Sequence, residues 1–97
     1  MSKVNRGREL QAQEVSELNR LIRELTNLHN DIALRLSYCH SKSIIPIPWG
    51  LLKQLLDQAL ALADEIERRY GKHPQVESIR RLLNIYKPSI ENRQCMP

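Results

Sequence analysis

The chain has no phenylalanine, one tryptophan, three tyrosines and three glycines among its 97 residues. With aromatics at only 4%, the core must be built from Leu and Ile. There are two cysteines, Cys39 and Cys95, too few for a disulfide scaffold or a cysteine-rich zinc site. Cys39 falls on an apolar helix stripe and reads as a small buried hydrophobe. Cys95 reads as a tail thiol without an evident role. No apolar run reaches the roughly 18 residues that a membrane span requires. Residues 1–10 are polar and basic, with no apolar stretch of the secretory kind. A soluble, cytoplasmic protein is the expectation. A domain of about 100 residues buries under roughly two-thirds of its unfolded surface. Docking onto a partner or a second copy is then a common source of added stability.

What is present is a 3.6-residue period. Val15, Leu18, Leu21, Ile22, Leu25, Leu28, Ile32, Leu36 and Cys39 recur at helical spacing on one stripe. They predict a first helix over about 8–39, uninterrupted by Pro or Gly. Residues 40–48 must connect, because Pro46 and Pro48 cannot both lie inside a helix. This loop is apolar, and Ile44, Ile45, Ile47 and Trp49 are expected to pack back onto the helices. Leu34 and Tyr38, four apart on a second face of the first helix, offer a landing site. A second helix is predicted over about 48–70, opened by Pro48 and closed by Gly71. Its apolar residues cover about half its circumference, so it should touch two neighbours. A third helix runs from Pro74 to a stop before Pro88, at about 74–87, with 88–97 as a flexible tail. The fold class is an all-α, antiparallel three-helix bundle with a long first helix, a single domain over 1–87. The second helix is shorter than the first. Roughly the first ten residues of the first helix, including Leu10 and Val15, should lack an intramolecular partner.

The formal net charge is +4, from 15 Lys+Arg against 11 Asp+Glu. Residues 71–87 carry +3 and residues 1–9 carry +2. Arg68, Arg69, Lys72, Arg80, Arg81 and Lys87 cluster around the second and third helices. Lys3, Arg6 and Arg8 form another basic group. Arg80, Asn84 and Lys87 are read as sharing a face opposite the apolar stripe. Cations in a line suit contact with a phosphate backbone. The interleaved aromatics of single-strand readers are missing, so backbone tracking without sequence readout is expected. Removing charge at Arg80 and Arg81 should then weaken nucleic-acid binding without unfolding the domain. The competing reading is a solvated helix face, which is the commoner fate of such residues.

No catalytic or metal constellation stands out, and no cofactor is expected. Arg35 with His40, and Arg68 with His73, have the Arg-x4-His spacing of some all-helical ribonucleases. Two occurrences in an arginine-rich chain suggest coincidence. His29 lies in the apolar stripe and reads as a core or interface residue. Glu14, Glu17, Glu24 and Asp31, interspersed with Arg20, Arg23 and Arg35, read as helix-surface ion pairs. Trp49 reads as a core anchor for the loop or a partner hot spot.

In size, helicity and basic charge the chain resembles the small helical subunits of CRISPR effector complexes. That resemblance implies a non-enzymatic subunit of a nucleoprotein assembly in antiviral defence. It would pack on neighbouring subunits and steady a DNA or RNA strand. No motif carries it, so no residue role transfers with it. The alternative is a protein-only adaptor or homo-oligomeric regulator acting through helix–helix contacts. Leu10, Val15, Leu34, Tyr38 and Trp49 are its candidate contact residues.

Overall fold

A computed structural model describes residues 12–40 and 46–95. Three helices make up the architecture, an all-α antiparallel bundle. Helix α1 spans Ala12–Ser37 and ends in a 3-10 turn, Tyr38–His40. Helix α2 spans Trp49–Tyr70 and helix α3 spans Pro74–Asn92.

The buried residues of α1 are Leu21, Ile22, Leu25, Ile32 and Leu36, all from the predicted stripe. Leu18 and Leu28 pack beside them, half-buried. Towards the N-terminus the stripe runs past the end of its partners. Ala12 to Ser16 are exposed, Val15 among them. The described part of the expected overhang is exposed, and Leu10 lies outside the described residues.

Helix α2 is the centre. Leu52, Leu56, Ala59, Ala63 and Ile66 are buried, at spacings of four and three that keep them on one stripe. Leu55, Leu60, Leu62 and Tyr70 flank that stripe, half-buried. Both other helices pack against α2, and each also contacts the other. At its N-terminus the Leu52 N–H donates to the Pro48 carbonyl at 2.9 Å. At its C-terminus Gly71 adopts φ 83°, a region that glycine enters without a Cβ penalty.

Side chains set the register of α2 against α3. Arg80 bonds Asp64, and Lys53 approaches Glu91 at 3.6 Å. The two contacts lie eleven positions apart on each helix, from Lys53 to Asp64 on α2 and from Glu91 back to Arg80 on α3, in opposite directions. Eleven residues are about three turns, so one antiparallel seam carries both contacts. Helices α1 and α3 consequently run parallel. His29 meets Tyr86, and ten residues further along the chain, in the turn that follows α1, Cys39 is disulfide-bonded to Cys95.

Three expectations need correction. First, α3 does not stop before Pro88 but continues to Asn92. Proline removes one helical hydrogen bond and crowds the carbonyl four residues back. Burial beyond it offsets that cost, since Ser89 is 8% and Ile90 2% exposed. The Gln94 N–H then donates to the Ser89 carbonyl, and Arg93 takes a left-handed conformation at φ 56°. This is a Schellman-type cap, so residues 88–95 are not a loose tail. Second, the two cysteines, which read separately in the sequence, form one disulfide, with Cα atoms 5.6 Å apart. The parallel ends of α1 and α3 bring them together across 56 residues of chain. Third, the described loop residues do not cover Leu34 and Tyr38, which stay 56% and 42% exposed. Ile47 and Trp49 pack instead against the main core, while Ile44 and Ile45 lie outside the described residues.

Truncation should separate the two sides of α2. Leu56→Ala, at a fully buried position, is expected to cost about 2–5 kcal/mol in urea denaturation. Leu51→Ala, at an exposed one, should stay within about 0.5 kcal/mol.

Candidate nucleic-acid interface

The antiparallel course brings the start of α1, the end of α2 and the start of α3 to the same end of the bundle. Several predicted cations gather there, but they are not equivalent. Arg80 is tied down. Its Nη1 donates to Asp64 Oδ1 at 2.5 Å and its Nη2 to Glu67 Oε1 at 2.7 Å. Its side chain is only 28% exposed. The hydrogen bond to Asp64 and the nearby Glu67 charge together raise its pKa above the ordinary arginine value. Arg80 therefore lies on the flank of α3 that meets α2, not opposite the apolar stripe. The half-buried Lys87, seven residues on, lies close to the same flank.

Arg68 and Arg69 share Glu65, at 3.3 and 3.6 Å. Arg68 remains 72% exposed. The Arg69 guanidinium also sits over the Tyr70 ring, 5.2 Å from its centroid, a cation–π arrangement. Lys72 and Arg81 are exposed. Among the described residues neither has an ion pair.

Beside Arg69 lies an open groove of about 880 Å³ between the overhang of α1 and the end of α2. Gln13, Glu14, Ser16, Glu17, Arg20, Arg23, Arg69 and Tyr70 line it. Arg20 donates to both carboxylate oxygens of Glu17, at 2.8 and 3.1 Å. Its hydrogen bond holds the Glu17 carboxyl below its ordinary pKa, and the same bond raises that of Arg20. Both therefore stay ionised at neutral pH. Arg23 is exposed, with no ion pair among the described residues. In the sequence Arg20 and Arg23 read only as helix-surface charges. Their alternation with glutamates gives no sign of the groove that they line with Arg69 and Tyr70 at the end of α2.

His29 and His73 have structural partners. The half-buried His29 stacks on Tyr86, with ring centroids 5.7 Å apart. Its Nε2 lies 3.4 Å from the Tyr86 hydroxyl and its Nδ1 3.2 Å from Asn30 Oδ1. With the proton on Nδ1 both contacts are satisfied: Nδ1 donates to Asn30 and Nε2 accepts from tyrosine. His73 caps α3, its Nδ1 accepting from the Gln75 N–H at 3.2 Å. Arg35 is engaged with Asp31 at 2.8 Å. In both Arg-x4-His pairs the arginine thus binds a carboxylate of its own helix. Among the described residues no group of three or more His, Cys, Asp or Glu could hold a metal ion, and no helix is long and apolar enough to cross a membrane.

Of the candidate protein contacts, Val15, Leu34 and Tyr38 are exposed, and Trp49 is half-buried against the core. The candidates from sequence did not include Leu82 and Ile85, which are 38% and 58% exposed on α3. Helical spacing alone places Leu82 on the core face. No protein-family model, curated protein or solved structure matches this chain.

The Arg80 bridge makes the double substitution at Arg80 and Arg81 a mixed test. Arg80→Ala leaves Asp64 and Glu67 facing α3 without their cation. It is expected to cost about 1–2 kcal/mol, below the range for a buried charged hydrogen bond because the cluster is partly solvated. Arg81→Ala should leave the urea midpoint unchanged.

Proposed function

We propose that this chain is a non-enzymatic helical subunit of a nucleoprotein assembly, one that contacts the phosphate backbone through the basic end of its bundle. The observation that supports this is the gathering of Arg20, Arg23 and Arg69 around one open groove, with Arg68 and Lys72 next to it along the chain. Phosphate contact needs cations that can be approached from solvent, and these side chains are exposed. The sequence immediately before α1 adds Lys3, Arg6 and Arg8. Arg81 would extend the contact onto α3, whereas Arg80 serves the fold and the half-buried Lys87 lies close to its flank. Such a subunit is of the kind that the resemblance to small CRISPR effector subunits implies. A cytoplasmic location belongs to the same proposal.

The protein-only reading is favoured by a different observation. Leu82 and Ile85 present apolar surface on α3, next to Arg80 and Arg81, whose chemistry does not require nucleic acid.

Labelled single- and double-stranded oligonucleotides, titrated from about 50 to 200 mM salt, separate the two. Micromolar or tighter binding with a steep salt slope is expected. The combined Arg23→Ala, Arg69→Ala and Lys72→Ala variant should lower the duplex slope by about 2–3, near 0.9 for each phosphate it no longer neutralises. Lys53→Ala, at the opposite end of the bundle, should leave it unaltered. Absence of binding at about 50 mM salt would transfer the assignment to the protein-only reading. Ile85→Asp, compared with the parent by sedimentation across concentrations, would then report self-association.

A further inference from the structure

We propose that the Cys39–Cys95 disulfide is a redox latch. Closed, it holds the last turn of α3 against the end of α1. Opened by a dithiol reductant, it frees residues 91–95 while the bundle stays folded.

The distribution of contacts at this end motivates the proposal. Ile90, 2% exposed, is the last core residue of α3. Residues 91–95 are all exposed. The hydrogen bonds of this turn are internal to it. Arg93 N–H donates to the Ile90 carbonyl, Gln94 N–H to the Ser89 carbonyl, and the Ser89 hydroxyl to the Gln94 carbonyl. The cap places Arg93, rather than glycine, in the left-handed region, which is unfavourable for a residue with a Cβ. Besides the disulfide, the described tertiary tie beyond Ile90 is the Lys53–Glu91 approach at 3.6 Å between exposed side chains, a weak interaction in solvent. The covalent bond is thus the main restraint on a segment with little other reason to stay docked. The buried cluster behind it, from Leu21 to Ile90, is built from other residues, with Cys39 packed against it.

The two sulfurs differ in accessibility. Cys95 is exposed, whereas Cys39 is half-buried against the core. A reductant thiolate attacks the Cys95 sulfur and forms a mixed disulfide, and Cys39 leaves as a thiolate that takes up a proton. The second thiol of the reductant then attacks its own mixed-disulfide sulfur, and Cys95 leaves in turn. The net exchange converts one protein disulfide and one dithiol into two protein thiols and one oxidised reductant. Closing reverses it with a disulfide oxidant such as oxidised glutathione, which takes up the two electrons and the two thiol protons and leaves as two molecules of reduced glutathione. Where glutathione and thioredoxin keep thiols reduced, disulfides are usually transient and either catalytic or redox-sensing, and the latter is the behaviour that a latch requires.

The test compares the full-length chain after treatment with oxidised glutathione, the same sample after dithiothreitol, and Cys39→Ser. Backbone 15N order parameters and far-UV circular dichroism are recorded at 25 °C. In the oxidised chain, residues 91–95 should show order parameters near about 0.85, falling below about 0.6 on reduction. Cys39→Ser should show the low values with or without dithiothreitol, and helicity should persist in every state. Retained order on reduction would show that the turn holds itself and overturn the proposal. Loss of helicity would overturn it differently, by making the bond a staple for the whole fold. Two titratable thiols after oxidised glutathione would show that the bond does not form and would equally end it.

Discussion

Burial of α2 on two sides is the constraint on which the rest depends. Its stripe from Leu52 to Ile66 is buried, and half-buried leucines extend it on both flanks. A helix with so wide an apolar surface cannot be satisfied by one neighbour. It requires α1 on one flank and α3 on the other, and short or proline-marked connections make both antiparallel to it. Ala59 and Ala63, both fully buried, keep the centre of α2 narrow where its neighbours approach. The parallel pairing of α1 with α3 then follows, and so do the His29–Tyr86 stack and the Cys39–Cys95 bond.

The same packing sorts the arginines. A guanidinium on the flank of α3 that faces α2 finds two carboxylates within reach, so Arg80 becomes part of the seam. Arg81, one residue later and 100° around the helix, points away from it. Arg68 and Arg69 share a single glutamate and keep much of their exposure. A positive net charge in the sequence thus becomes a few approachable cations at one end of the bundle, alongside ion pairs on the helix surfaces and in the α2–α3 seam. The difference matters for any polyanion, because only the approachable cations can exchange counterions for phosphate.

The two ends of the bundle differ in chemistry. One holds the overhang of α1, a charged open groove and the Gly71 turn. The other holds Trp49, Ile47, the last turn of α3 and the disulfide. Continuation of α3 through Pro88 shows how burial overrides a local breaker. One missing backbone hydrogen bond is outweighed when Ile90 reaches the core. The exposed Leu82 and Ile85 show the reverse, since α3 has more apolar positions than its two contacts can cover.

The helical class, the number of helices and most of the buried residues are legible in the sequence. Those properties come from 3.6-residue periodicity and from Pro74, Gly71 and the loop prolines, whose effects are local. The exposed start of α1 is legible too, because helix length follows directly from residue count. Packing alone settles which cations remain approachable, that Cys39 meets Cys95, and that α3 outruns Pro88. Each depends on residues far apart in the chain: Arg80 with Asp64, the two cysteines, and Ile90 with the core. Contacts of that kind leave no periodic trace in a single sequence, because packing selects among several side chains of equal local merit.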